Sequence, residues 1–141
     1  MGCYNSILIP ASIDRVWESF VDFHDLSNFP NVVESVEPSG DQRGTEIGAA
    51  RVLNGAFHET LLSIDHASHC MRYSIDSGPG PFEGGVVEKY VGTVKLYRNT
   101  DDDTTFVTWS SDWEKSNGGV ADFCDPIYRA LLTDLKATFS P

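Results

Sequence analysis

The chain reads as an α+β domain, a curved antiparallel sheet of seven strands with a long C-terminal helix and two short helices after the first strand. Three observations predict it. First, Val120, Phe123, Cys124, Ile127, Tyr128, Leu131, Leu132 and Leu135 recur at i, i+3, i+4, i+7, i+8, i+11, i+12 and i+15, the apolar stripe of one amphipathic helix. Second, from Asn31 to about Glu114 strand-like runs alternate with clusters of turn residues. Third, Ile13, Val16, Trp17 and Phe20 keep helical spacing just after the first strand. Strands in succession, framed by helices, pair as antiparallel neighbours. A chain of 141 residues forms one domain, 1–141, around a single core.

Taken in order, YNSILIP is apolar and β-branched and ends at Pro10, so it is the first strand. Ser12 stands where an N-cap belongs, and the helix it opens should stop near His24. DLSNFP gives a second short helical turn, closed by Pro30. The strands that follow are 32–37, 45–53, 57–65, 70–76, 86–98 and 104–114. Asn54-Gly55 is a hairpin signal. Asp101–Asp103 lack the roughly twelve-residue ligand spacing of a calcium loop and read as a solvated hairpin turn. Asp125-Pro126 predicts a kink or a broken first turn in the last helix, yet the apolar phase continues across it, so it is one element.

Lys plus Arg total 10 against 21 Asp plus Glu, a net charge of −11. Scattered single cations do not neutralise a phosphate backbone, which excludes nucleic acid, and an anionic membrane surface repels such a chain. No apolar run reaches the roughly 18 residues of a membrane span, and the first residues lack a signal-peptide core. A cytoplasmic protein is expected. Gly2 and Ser6 meet the minimal myristoylation pattern, but the same residues begin the first strand. Cys3, Cys70 and Cys124 are odd in number and set in apolar surroundings, so buried free thiols are expected. His24, His58, His66 and His69 lack metal-ligand spacing. The Gly-rich stretch SGPGPFEGGVV has no Lys, carries Glu83 and leads into a strand, which rules out a phosphate loop and a dinucleotide fingerprint. No metal and no cofactor are expected.

The segments SILIPASIDRVW, DFHDLSNFP, HETLLSID, MRYSID and TTFVTWSSDW follow one another at a spacing that resembles the START-like (SRPBCC) superfamily. The resemblance is to its polyketide cyclase/dehydrase-like branch, related to birch-pollen-allergen-type proteins and plant abscisic-acid receptors. It implies a helix-grip fold, with the sheet wrapped around the last helix. Between them it implies a cavity for a hydrophobic or amphipathic small molecule, of roughly 300–1,000 Å³. The loops that gate the cavity in the family correspond to LNGAF (53–57) and SGPGPFEGG (77–85). Both depart from the receptors' gate sequences, so recruitment of a partner protein is not implied. Where the receptors place a Lys for an acidic ligand, this chain has Val33, Glu34 and Ser35, which favours a neutral or cationic ligand.

Taking Glu59 as inward, on the resemblance, strand alternation turns Phe57, Leu61 and Ser63 to the same face. Tyr73 and Ile75 follow on the next strand, then Glu88, Tyr90, Gly92 and Val94, then Val107, Trp109, Ser111 and Trp113. Phe123, Ile127 and Leu131 close the cavity from the helix, and Phe82 caps its mouth. The expected ligand-binding set is Phe57, Leu61, Tyr73, Ile75, Phe82, Glu88, Gly92, Trp109, Phe123, Ile127 and Leu131. Two functions stay open. One is a carrier or sensor of a hydrophobic or aromatic, lipid- or polyketide-like molecule, with Glu59 paired to Arg51, Tyr90 or strand-end backbone. The other is a cyclase or dehydrase in which Glu59, its pKa raised by burial, is general acid or base and Tyr90 donates a hydrogen bond.

Overall fold

The computed structural model describes residues 2–141. The chain runs β1 (Gly2–Ile9), α1 (Ile13–Trp17), β2 (Val36–Ser39), β3 (Ala50–Leu53), β4 (Phe57–Asp65) and β5 (Cys70–Ser77). A 3-10 segment (Gly80–Gly85), β6 (Val91–Asn99), β7 (Thr104–Asp112) and α2 (Val120–Phe139) complete it. The seven strands form one sheet in the order β1-β7-β6-β5-β4-β3-β2, each pair antiparallel. The chain crosses once, from β1 at one edge to β2 at the other, then returns strand by neighbouring strand, with longer connections at 40–49 and 78–90, until β7 closes against β1. This is the helix-grip α+β arrangement, with α2 packed on one face of the sheet.

The helix is placed by its stripe: Val120, Cys124, Tyr128, Leu131, Leu132 and Leu135 are all buried. Each large apolar side chain so buried stabilises the fold by about 1.5–3 kcal/mol. Pro126 sits inside α2 without dividing it, and costs only the hydrogen bond that its missing N–H would have given the Asp122 carbonyl. Asn5 Nδ2, on β1, donates to Asp125 Oδ1 at 3.0 Å and ties the edge strand to the helix. Cys3, Cys70 and Cys124 are buried free thiols, as their settings predict.

Several expected boundaries move. The first helix ends at Trp17 instead of near His24, and Ser12 occupies the N-cap position without a side-chain hydrogen bond. The second short helix, expected at 25–30, is a pair of turns, with Phe29 N–H on the Leu26 carbonyl and Val33 N–H on the Phe29 carbonyl. β2 begins at Val36, because residues 31–35 bond elsewhere. Asn31 donates N–H and Nδ2–H to buried Asp134 on α2, both at 2.7 Å, and Asn54 Oδ1 accepts from Glu34 and Ser35. β3 is only 50–53, since Gly48 takes φ +91 and breaks the extended run.

Candidate functional site

The site is built from the β3–β4 hairpin. Asn54 and Gly55 have φ of 54° and 65°, both left-handed as a two-residue primed turn requires, and Ala56 N–H closes on the Leu53 carbonyl at 2.9 Å. Ala56 adds a third residue to the connection, so Leu53 pairs with Phe57, and that register sets Arg51 opposite Glu59. Arg51 Nε and Nη2 both donate to Glu59 Oε1, at 2.9 and 2.7 Å, and Nη1 donates to the Phe23 carbonyl at 2.9 Å. The guanidinium lies 3.7 Å from the Phe23 ring centroid, stacked as arginine does and lysine does not. Both residues are buried, and of the three partners the sequence left open for Glu59 it is Arg51 that meets it. Burial pushes the Glu59 carboxyl above its usual range, Arg51 draws it back in part, and Asp76 adds a smaller push upward.

Beside the pair runs a chain of hydroxyls. Trp109 Nε1 donates to Tyr73 OH at 2.9 Å, Tyr73 OH donates to Tyr128 OH at 3.0 Å, and Tyr128 OH is hydrogen-bonded to Tyr90 OH. Burial raises all three phenols above their ordinary value, and neighbours add to it, Glu59 for Tyr73, Tyr73 for Tyr90, and both Tyr73 and Tyr90 for Tyr128. Gly92 makes room for the chain: it faces Tyr73 across β5 and β6, and a Cβ there would stand 2.3 Å from Tyr73 Cζ. Cys124 is a neighbour of Tyr90, and burial pushes its thiol up to about 11.

Between the pair, the phenols and α2 lies a cavity of about 60 Å³. Buried Glu59, Tyr73, Trp109, Cys124 and Tyr128 form its floor, while partly exposed Val32, Val33, Leu53, Phe57 and Ile127 form its mouth. Of the residues expected in the site, Phe57, Glu59, Tyr73, Ile75, Trp109, Ile127 and Leu131 line it. Leu61 and Gly92 face the same interior but pack in the core. Tyr90 lies behind Tyr128 and not on the cavity wall. Phe82 and Phe123 form an aromatic cluster with Phe57, centroids 6.2–6.4 Å apart, beside the cavity and not in its wall.

Two inward assignments are overturned. Glu88 is exposed and makes an isolated bridge with Lys115, because Lys89 adopts φ +54 and interrupts the strand alternation before β6 begins at Val91. Ser63 leaves the inward row because a bulge between Leu61 and Ser63 shifts the register, so that Ser63 faces exposed Arg72. Sequence reasoning missed Leu26, Val32, Val33 and Cys124, and gave Leu53 and Asn54 only as part of a gating loop. Cys124 was in plain view on the helical stripe. Leu26, Val32 and Val33 lie outside helix and strand, where no periodicity marks a face.

The cavity is well under the roughly 300 Å³ at which ligand pockets usually begin, so a large ligand requires movement at the mouth. One segment is suited to move. No backbone hydrogen bond joins residues 78–87 to the rest of the described chain. Phe82, 1% exposed, anchors that loop by its edge-on packing at 5.1 Å from Tyr90 and against Phe57.

A family model described as polyketide cyclase / dehydrase and lipid transport matches residues 3–140. A solved protein of Nitrosospira multiformis is 39% identical over 99% of this chain and 97% of its own, with a TM-score of 0.94. XoxI of Bacillus cereus is 20% identical over 98% of this chain and 94% of its own, TM-score 0.79. Major latex-like protein 151 of Panax ginseng is 16% identical over 100% and 98%, TM-score 0.78. These last two share the fold. A comparison with functionally curated proteins finds no match.

Proposed function

The chain belongs to the polyketide cyclase / dehydrase and lipid transport family, and from that premise we propose that it binds one hydrophobic or aromatic small molecule between the sheet and α2, as a carrier or sensor. The observation that carries this reading is the cavity's wall, largely apolar and aromatic, whose charged residues, Arg51 and Glu59, pair with each other. Such a wall holds an apolar body and orients it by few polar contacts. Loop 77–85 is the gate: Gly80, Gly84 and Gly85, all at positive φ, are its hinges, and withdrawing Phe82 frees Phe57 to swing from the mouth.

The catalytic alternative keeps one point in its favour, the raised carboxyl of Glu59. Against it, Tyr90 is bonded to Tyr128 away from the cavity, and the Tyr73 hydroxyl already accepts from Trp109 and donates to Tyr128. Holding a ligand asks less of these groups than turning one over.

Titration with a neutral apolar fluorophore such as N-phenyl-1-naphthylamine tests the reading. One-to-one binding is expected in the native protein and loss of it in a folded Leu131→Trp variant, whose indole fills the cavity. Equal binding by both places the probe elsewhere and overturns the proposal. Conversion of a polyketide-like substrate that Glu59→Gln abolishes while binding persists would establish the catalytic alternative instead.

A further inference from the structure

The cavity's charges cancel within it: Arg51 and Glu59 are the charged residues of its wall, and they pair with each other. The pairing is lopsided. Glu59 Oε1 takes both hydrogen bonds from Arg51, and Oε2 accepts none from the described residues. The sealed side-chain polar atoms left without a partner among those residues are Ser111 Oγ and Trp113 Nε1, so Oε2 is not sealed but opens on the cavity that Glu59 lines. The other polar groups of the wall are committed. Tyr73 OH both accepts and donates. Asn54 Oδ1 receives two backbone N–H groups, and its Nδ2 donates to the Val32 carbonyl.

What the wall presents to a ligand is therefore one charged acceptor oxygen in apolar surroundings. Resting on the ligand-binding reading above, we infer that the site selects a neutral ligand carrying a hydroxyl or phenol, whose O–H donates to Glu59 Oε2, and discriminates against both acids and amines. A hydroxyl adds no charge and forms a charge-assisted hydrogen bond, stronger than one between neutral groups. An acid brings a second carboxylate against Oε2. An ammonium finds Glu59 already neutralised by Arg51 and leaves a net positive charge in a buried place, which is costly. The overall charge of −11 attracts amines from a distance, but physiological salt screens that field beyond about 8 Å, so the contact and not the encounter decides.

Chemical-shift titration of the 15N-labelled full chain with phenol, anisole, benzoate and benzylamine, at neutral pH and physiological salt, reads the preference. The four share one ring and differ in the polar group, and the open mouth lets the ring project from the cavity. Phenol should bind at least about tenfold more tightly than each of the others, the worth of one hydrogen bond to a charged acceptor. In Arg51→Gln/Glu59→Gln, where both charges leave together, the preference over anisole should fall to a few-fold. Anisole or benzylamine binding as tightly as phenol, or an undiminished preference in the double variant, overturns the inference and leaves the ligand-binding reading standing. Absence of binding by all four overturns both.

Discussion

Two buried polar systems lie within a few residues of each other and are built to different ends. The Trp109–Tyr73–Tyr128–Tyr90 chain joins each of its members to the next, and it ties together β5, β7, α2 and the residue before β6. The Arg51–Glu59 pair is local to one hairpin and leaves an acceptor oxygen open to the cavity. A polar network whose members are satisfied specifies a unique core, whereas a buried group with spare capacity is the place where a ligand is read. The contrast locates rigidity at the deep end of the cavity and recognition at its hairpin side.

The largest expected effect comes from breaking the pair on one side. Glu59→Ala leaves Arg51 buried without its counter-charge and should cost about 3–5 kcal/mol in chemical denaturation, whereas Arg51→Met/Glu59→Leu should be far milder. A single variant no worse than the double would show that the pair carries no buried charge. Gly92→Ala attacks the other system through its packing. The new Cβ must displace the Tyr73 ring, at about 1–3 kcal/mol, and the altered near-ultraviolet circular dichroism of Trp109 would report the shift. Tyr128→Phe removes the central hydroxyl and should cost about 1–3 kcal/mol while the Arg51–Glu59 pair stays intact. If that variant changed the pH dependence assigned below to Glu59, the two systems would not be separable.

The smallest effect is electrostatic and its sign is fixed. Because the native state raises the Glu59 pKa, it holds that proton more tightly than the unfolded chain does. The contribution of Glu59 to stability therefore falls as pH rises from the ordinary glutamate value of 4.5 to the raised one, and is constant above it. Asp25 and Asp65, whose carboxyls are lowered by hydrogen bonds, act in the opposite sense, losing stability as pH falls. Subtracting the stability–pH curve of Glu59→Gln from that of the native protein should isolate the Glu59 slope; coincident curves would refute it.

Much of this was legible in the residues. Val120 to Leu135 declare α2 and its buried face, since one helix face needs no knowledge of its partner. Asn54-Gly55 declares the hairpin but not its register: a two-residue turn would set Arg51 opposite His58, and the third connecting residue, Ala56, moves it opposite Glu59. Alternation placed Tyr73, Ile75 and Trp109 correctly because the backbone there stays extended. It failed at Glu88 and Ser63, where a left-handed Lys89 and a bulge after Leu61 break the period. Leu26, Val32 and Val33 were invisible as wall residues because a turn has no repeating face to read.

By itself, then, the sequence determined the seven antiparallel strands, the helix that covers them and the place of the β3–β4 hairpin turn, all consequences of period and short-range turn chemistry. Only the tertiary structure decided which phenol meets the cavity, that Tyr90 stands behind Tyr128, and that Asp134 draws Asn31 and the mouth segment onto α2. It also decided that one Glu59 oxygen stays open. Those outcomes depend on contacts between residues far apart in the chain and on single backbone angles. No local pattern encodes either.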